Sequence, residues 1–566
     1  VLHRSIEEAL KQAVAAVLPE ANLAAVQVRP CPDPKFGDYQ SSAVMSLAKE
    51  RKTNPRQLAT DIVAKLDVSA WCEKVEIAGP GFLNFRLKTG AIEHVLKSEQ
   101  QSIHPFIHLS DHPRTAVIDF SSPNVAKPMH VGHIRSTILG DSLARALRLL
   151  GHKVITDNHI GDWGTQFGML IVGWKRHLDR AALQADPIAE MDRLYKLINN
   201  DPTAEEDARQ ELVKLQSGDP ENLTIWREMI ALSQTQFDTI YRRLGLRFDH
   251  TLGESFYDPH LQRIVDQFVQ RGLAQESEGA QVIFFPGHPQ LKEEPAMIRK
   301  RDGAFNYMTT DLATLEYRLN TWHPDEIIYV TDGRQQLHFR QLFAAFRRWH
   351  PSANVRLAHV WFGSILGEDG KPFKTRTGET VKLADLLDEA EERAFAVVTG
   401  KNPELPEPQR REIARVVGIG AVKYADLLPN RQSDYVFSWD KMLALSGNTA
   451  PYLQYAYTRI RSIFRKGEIT DIQGAIKLTE PAESALAKYL LNFGIVLEAV
   501  AEEYRPNFLC NYLYELAGHF TTFYEACPIL KSEPAVRSSR LALADLTGRV
   551  LKQGLEVLGI ETLEQM

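Results

Sequence analysis

Cysteine is scarce in this chain. There are four in 566 residues, Cys31, Cys72, Cys510 and Cys527, and no two form a C-x-x-C pair. That spacing argues against a zinc ribbon and a disulfide framework, so no structural zinc is expected and a reduced, cytoplasmic setting is. No apolar run approaches the roughly 20 residues needed to span a bilayer, and no membrane partner is expected. The opening segment, VLHRSIEEALKQAVAAVLP, has helical periodicity with acidic residues in it, unlike a signal peptide. The pattern G-x-x-x-x-G-K-[ST] is missing, which argues against a P-loop nucleotidase. Bulk positive charge is missing too: 66 Lys and Arg stand against 72 Asp and Glu, for a net charge of −6. A nucleic-acid partner therefore has to be met by local basic patches. Internal repeats and low-complexity tracts are also absent.

What is present is ordinary in bulk, 44% hydrophobic and 24% charged, and long enough for roughly three to five domains. Residues 1–108 read as an α+β module, in which VEIAGPGFLNFRL alternates apolar residues around a Gly-Pro-Gly turn. TAVIDF at 115–120 is a short apolar run of the kind a buried parallel strand shows. A loop, an amphipathic helix ending at Gly151 and a second strand, KVITDNHI, follow, and together they make a βαβ unit. The expected architecture is multidomain: a Rossmann-like parallel-sheet core over 109–385, interrupted by a helical insertion at about 170–250, with strand-like QVIFF, EIIYV and HVWFG after it. A helical stem is expected over 386–446 and an all-α domain over 447–566.

The first loop of that βαβ unit reads SSPNVAKPMHVGHIRST from residue 121. A helix N-terminus presents unpaired N–H groups and suits anions. His130 and His133 there have the means to donate to phosphate oxygens, Gly132 leaves room for a flat base, and Lys127 adds a cation. An H-x-x-H by itself also describes two unrelated histidines, and no further ligand nearby completes a metal set, so no metal site is assigned.

HVGH after a first strand resembles the HIGH signature of class I aminoacyl-tRNA synthetases, and SSPNVAKPMHVGHIRSTILGD resembles the arginyl-tRNA synthetase version. GDWGTQFG (161–168), YMTTDLA (307–313), YVTDGRQQLHF (329–339), GKPFKTRTGETVKL (370–383), AVKYADLLPNRQSDYVFSWD (421–440) and GNTAPYLQYAYTRI (447–460) fit the same family in order, over nearly the whole chain. Another class I synthetase and a catalytically silent RNA-binding relative share the fold. The cysteine enzyme's Cys/His zinc set is missing, and the silent relative would be expected to lose His130, Gly132 and His133.

The resemblance implies arginine activation with ATP and Mg²⁺, transfer to the terminal adenosine of tRNA(Arg), a bacterial-type cytoplasmic monomer, and activation that needs tRNA. It puts ATP at His130, Gly132 and His133, with His338 toward adenosine. Arginine is expected at Asp119, Asn124, Tyr307, Asp311 and Gln335. Within that set Asp311 is the partner of the guanidinium, whose planar fork asks for a carboxylate, and Tyr307 lies over its plane. The family's KMSKS lysines are replaced here by PFKTR, so Lys374, Arg376 and Lys127 stand as candidates for the phosphate grip. Tyr455 and Arg459 match anticodon contacts, in a helix that interleaves Tyr452, Tyr455 and Tyr457 with Arg459, Arg461, Arg465 and Lys466. The front module corresponds to the family's domain for the tRNA elbow.

Overall fold

The computed structural model describes residues 2–375, 378–472 and 474–566. At its centre lie four parallel strands, in the spatial order Arg356–Phe362, Glu326–Asp332, Thr115–Asp119, Lys153–Asp157. Helices cover both faces, as a parallel sheet requires. On one face Val117, Ile155, Ile327 and Tyr329 pack under the helices Leu261–Gln270, Tyr307–Trp322 and Gln336–Trp349. On the other, Ala116, Ile118, Ile328, Val330 and Val360 share a core with the helix Val131–Leu149 and the C-terminal bundle. Contact is closest at Gly140 in that helix, where a Cβ would sit 2.1 Å from the Phe120 ring. From Thr115–Asp119 the chain moves one way to Lys153–Asp157 and later the other way to Glu326–Asp332. The carboxyl ends of the first and third strands therefore flank the switch point where such sheets take ligands.

The insertion is helical from Gln166 to Arg243. Its helix starts are written locally: Asp186 and Asp219 each precede a proline at the first helical position, and their carboxylates accept from the N–H groups of Ala189 and Asn222. QVIFF is not a strand of the parallel sheet. Ala280–Ile283 is the middle of a separate antiparallel sheet between Gln275–Ser277 and Ala296–Arg299. Its apolar run could not tell the two sheets apart, because either one buries it.

The front module has a four-stranded antiparallel sheet covered by helices, including Leu2–Val17. The C-terminal part is a bundle that includes Ala450–Lys466, Asn507–Ala526 and Pro534–Val557. Contrary to the sequence expectation, one stretch, Pro481–Glu503, is long and apolar enough by composition to cross a membrane, with a mean hydropathy of 1.4. It divides into the helices Pro481–Leu490 and Phe493–Glu503, and 56% of its most apolar window is buried in the structure. Arg135 ties the sheet to the stem. Its buried guanidinium lies 3.1 Å from Asp426 and donates to the carbonyls of Gly363 and Ser433.

Candidate active site

The loop between the first strand and its helix is held in a costly backbone. Ser121, Ser122 and Ala126, none of them glycine, have φ of 72°, 50° and 61°. Such residues persist only where the surroundings over-determine them. Here the Ser121 N–H donates to Ser136 Oγ, the Ser122 N–H to Asn158 Oδ1 and the Ala126 N–H to Ser233 Oγ, at 2.8–3.0 Å.

His130 is the N-cap of Val131–Leu149. Its Nδ1 accepts from the Gly132 N–H at 3.0 Å, and His133 Nδ1 accepts from the His130 N–H at 3.1 Å. With both Nδ1 atoms acting as acceptors, each ring carries its proton on Nε2, and both are neutral. Burial holds His133 down at about 3, and burial lowers His130 as well. The pair is thus two neutral N–H donors, ring centroids 4.1 Å apart, at a helix N-terminus. Gly132 is required by this cap, since a Cβ would meet the His130 ring at 2.7 Å.

Asn124 forms a parallel bridge with Gly161, and a Cβ on Gly161 would sit 2.1 Å from Asn124 Oδ1. The next residue, Asp162, accepts from the Ser255 N–H and hydroxyl at 2.8 and 2.6 Å. This draws Glu254 to the same corner, where its N–H donates to the Ile160 carbonyl. Glu254 was not legible in the sequence. Burial pushes its carboxyl up to about 7, with Asp311 and Asp162 adding and His159 opposing. Tyr307 and Asp311 share one face of the helix Tyr307–Trp322, Tyr307 being 62% exposed. The family resemblance implies a place for His338 toward adenosine; in the structure its Nε2–H donates to Asp311 at 2.5 Å and its ring lies 4.7 Å from Tyr307. Gln335 is exposed in the turn before that histidine's helix. Asp119 is at the strand end, but both its oxygens are engaged: Oδ2 by Arg318 at 2.7 Å and Oδ1 by the Ser122 hydroxyl at 3.1 Å.

Lys374 and Thr375, on one arm of an irregular hairpin, pair with Thr380 and Glu379 on the other, and Lys374 is exposed; Arg376 falls outside the described residues. Past the hairpin the chain returns to the histidine motif. The Val131 N–H donates to the Val381 carbonyl and the Leu383 N–H to the Met129 carbonyl, both at 2.9 Å, which sets Lys382 opposite His130. Lys127 sits 5.0 Å from the centre of the Tyr195 ring, on the insertion side.

In the C-terminal bundle, Tyr455 is 47% exposed with Lys401 over its ring, and Arg459 lies over Tyr524 at 4.9 Å. Three more of the interleaved residues are engaged by Glu564: the buried Tyr457 hydroxyl and Arg461 both bind its carboxylate, and the exposed Arg465 donates to its carbonyl.

A parallel sheet with neutral histidines capping the first crossover helix, at the switch point, is the catalytic core of a class I aminoacyl-tRNA synthetase. Residues 92–439 match the family described as tRNA synthetases class I (R), catalytic domain; residues 2–87 match the arginyl tRNA synthetase N terminal domain, and 453–566 the DALR anticodon binding domain. The arginine--tRNA ligase of Chromobacterium violaceum is 48% identical over 578 residues, with 100% of both chains covered. That of Hahella chejuensis is 46% identical, over 99% of this chain and 100% of its own. Among solved structures, the arginyl-tRNA synthetases of Thermus thermophilus and Plasmodium falciparum superpose with TM-scores of 0.86 and 0.85 at 26% and 29% identity. Each covers all of this chain and at least 99% of its own. The chain belongs to the arginyl-tRNA synthetase family.

Proposed function

We propose that the crevice at the strand ends is where arginine and ATP are joined, with Asp311 and Glu254 taking the guanidinium and the histidine pair taking the phosphates. The chain is an aminoacyl-tRNA ligase that charges tRNA(Arg) with arginine. Its first step forms a bond between the arginine carboxylate oxygen and the α-phosphorus of ATP and breaks the bond to the leaving pyrophosphate. In the second, a hydroxyl of the terminal ribose attacks the arginyl carbonyl carbon and AMP leaves.

Neither step needs a covalent enzyme intermediate, so the side chains have to align and stabilise. The Nε2–H groups of His130 and His133 serve as fixed donors to charge developing on phosphate oxygens. Because both rings are neutral, they do so without being titrated near pH 7. Lys382, paired across from His130, joins Lys127, Lys374 and Arg376 as a candidate for the phosphate grip. Lys127 reaches the phosphates by leaving the Tyr195 ring.

The observation that carries the reading is Asp311, half-buried on the helix face of the exposed Tyr307 and held by His338, with the buried Glu254 carboxyl close enough to feel its charge. A carboxyl pushed up to about 7 beside a second acid is a place that gains from a permanent cation, and a guanidinium never loses its charge. Tyr307 lies over the fork, His338 orients Asp311, and Asn124 and Gln335 take the amino-acid end. Asp119 supports that end through Ser122.

Mg²⁺ enters with ATP as part of the substrate; among the described residues no three His, Cys, Asp or Glu side chains are grouped to hold a metal. Tyr455 and Arg459, as an exposed aromatic and a cation on one helix, suit unpaired anticodon bases, and the front module suits the tRNA elbow. A cytoplasmic monomer with domains at 1–108, 109–385, 386–446 and 447–566 completes the reading, and the four free thiols support the reduced compartment. Asp311→Ala tests it. The arginine KM is expected to rise at least about tenfold with the ATP KM unchanged, and an unchanged arginine KM removes Asp311 from the pocket.

A further inference from the structure

Below the pocket lies a second guanidinium, belonging to the protein. Asp119 and Asp157 end two adjacent strands in register, and Tyr329 stands beside Asp119 within the next strand, Glu326–Asp332. Neighbouring strands are about 4.8 Å apart, so the two carboxylates are close like charges in a buried place. Arg318, 0% exposed, answers both: its Nη2 donates to Asp119 at 2.7 Å and to Asp157 at 2.9 Å, and its guanidinium lies 5.4 Å from the centre of the Tyr329 ring. Arg318 sits seven residues after Asp311 and eleven after Tyr307, which puts all three on one stripe of the helix Tyr307–Trp322. From mouth to floor that stripe runs through an exposed tyrosine, a half-buried carboxylate and a fully buried arginine.

We propose that Arg318 is a positioning residue for the amino acid. It clamps the helix that carries Tyr307 and Asp311 to the strand ends, and it neutralises Asp119 and Asp157, so that an incoming guanidinium meets only Asp311 and Glu254. Two geometric facts support both halves. Asp119 Oδ2 is taken by Arg318 while Oδ1 receives the Ser122 hydroxyl, so the clamp continues into the strained loop that leads to Asn124. Without Arg318 the floor holds two adjacent acids, itself a guanidinium site in the wrong place. The proposal rests on the reading of Asp311 as the substrate's partner.

The test uses the full chain with tRNA(Arg) and ATP, and measures arginine and ATP KM separately by steady-state aminoacylation. Arg318→Met is expected to raise the arginine KM at least about tenfold and leave the ATP KM within about twofold. Asp157→Asn added to Arg318→Met removes one of the stranded charges and is expected to recover at least about threefold of the arginine KM. An arginine KM unchanged in Arg318→Met, both KM values rising together, or no recovery in the double variant overturns the proposal. If Arg318→Met fails to fold, Arg318→Lys decides. It keeps one charge but cannot give the two carboxylates a planar fork, so the arginine KM alone is expected to rise, and an unchanged value overturns the proposal. An arginine KM that rises in Arg318→Met but not in Asp311→Ala separates failure of the pocket reading from failure of the clamp.

Discussion

Glu254 gives the pocket a pH signature. Without substrate its carboxyl sits at about 7, raised by burial and by Asp311 and Asp162 against the opposing charge of His159. A bound guanidinium requires the ionised form, so arginine binding below pH 7 has to expel a proton. At pH 6 about a tenth of the carboxyl is ionised, and at pH 8 nearly all of it is. The arginine KM is therefore expected to rise about tenfold from pH 8 to pH 6, the equivalent of about 1.4 kcal/mol. The linkage to folding has the opposite sign. A carboxyl raised from 4.5 adds stability that is fully present below pH 4.5 and is lost as the pH rises through about 7. Arginine should consequently raise the Tm more at pH 8 than at pH 6. Steady-state aminoacylation and thermal melts with and without arginine read both effects. In Glu254→Gln the pH slope should vanish and the KM stay high at every pH. A flat arginine KM in the native chain, or the same slope in Glu254→Gln, refutes the reasoning.

The other expectations concern the histidine cap and its helix. His133→Ala and His130→Ala should each lower kcat by about a hundredfold, as loss of one preorganised donor does, while the native kcat shows no inflection near pH 6.5 from either ring. An inflection there that disappears in the alanine variants would show that a ring titrates. Gly140→Ala, which on helix propensity alone should stabilise by up to about 1 kcal/mol, is instead expected to lose about 1–3 kcal/mol by urea denaturation, because its Cβ meets the Phe120 ring. A higher urea midpoint would overturn that.

The parts of the site legible in the sequence are the local ones. TAVID betrays a buried strand because a parallel sheet shields both its faces, and HVGH betrays a capped helix because the cap is made within four residues. Tyr307 and Asp311 share a face because the helix repeat puts them there. What escaped is set by partners far along the chain. Glu254 is placed by the neighbouring Asp162–Ser255 bonds, Lys382 meets His130 only when the hairpin folds back, and Lys127 finds a ring on the inserted helices. QVIFF is apolar enough for either sheet, so periodicity could not place it. The tyrosine and arginine alternation of Ala450–Lys466 reads as one basic-aromatic face, yet Glu564 engages Tyr457, Arg461 and Arg465 and leaves Tyr455 and Arg459 to other partners.

The joining of arginine and ATP in one crevice is tested most directly by arginine-dependent exchange of pyrophosphate into ATP, measured with and without tRNA(Arg) on the native chain and on Asp311→Ala. Exchange that requires arginine and tRNA(Arg), and that Asp311→Ala loses at arginine concentrations saturating the native chain, is expected. No exchange by the native chain under either condition would contradict the account.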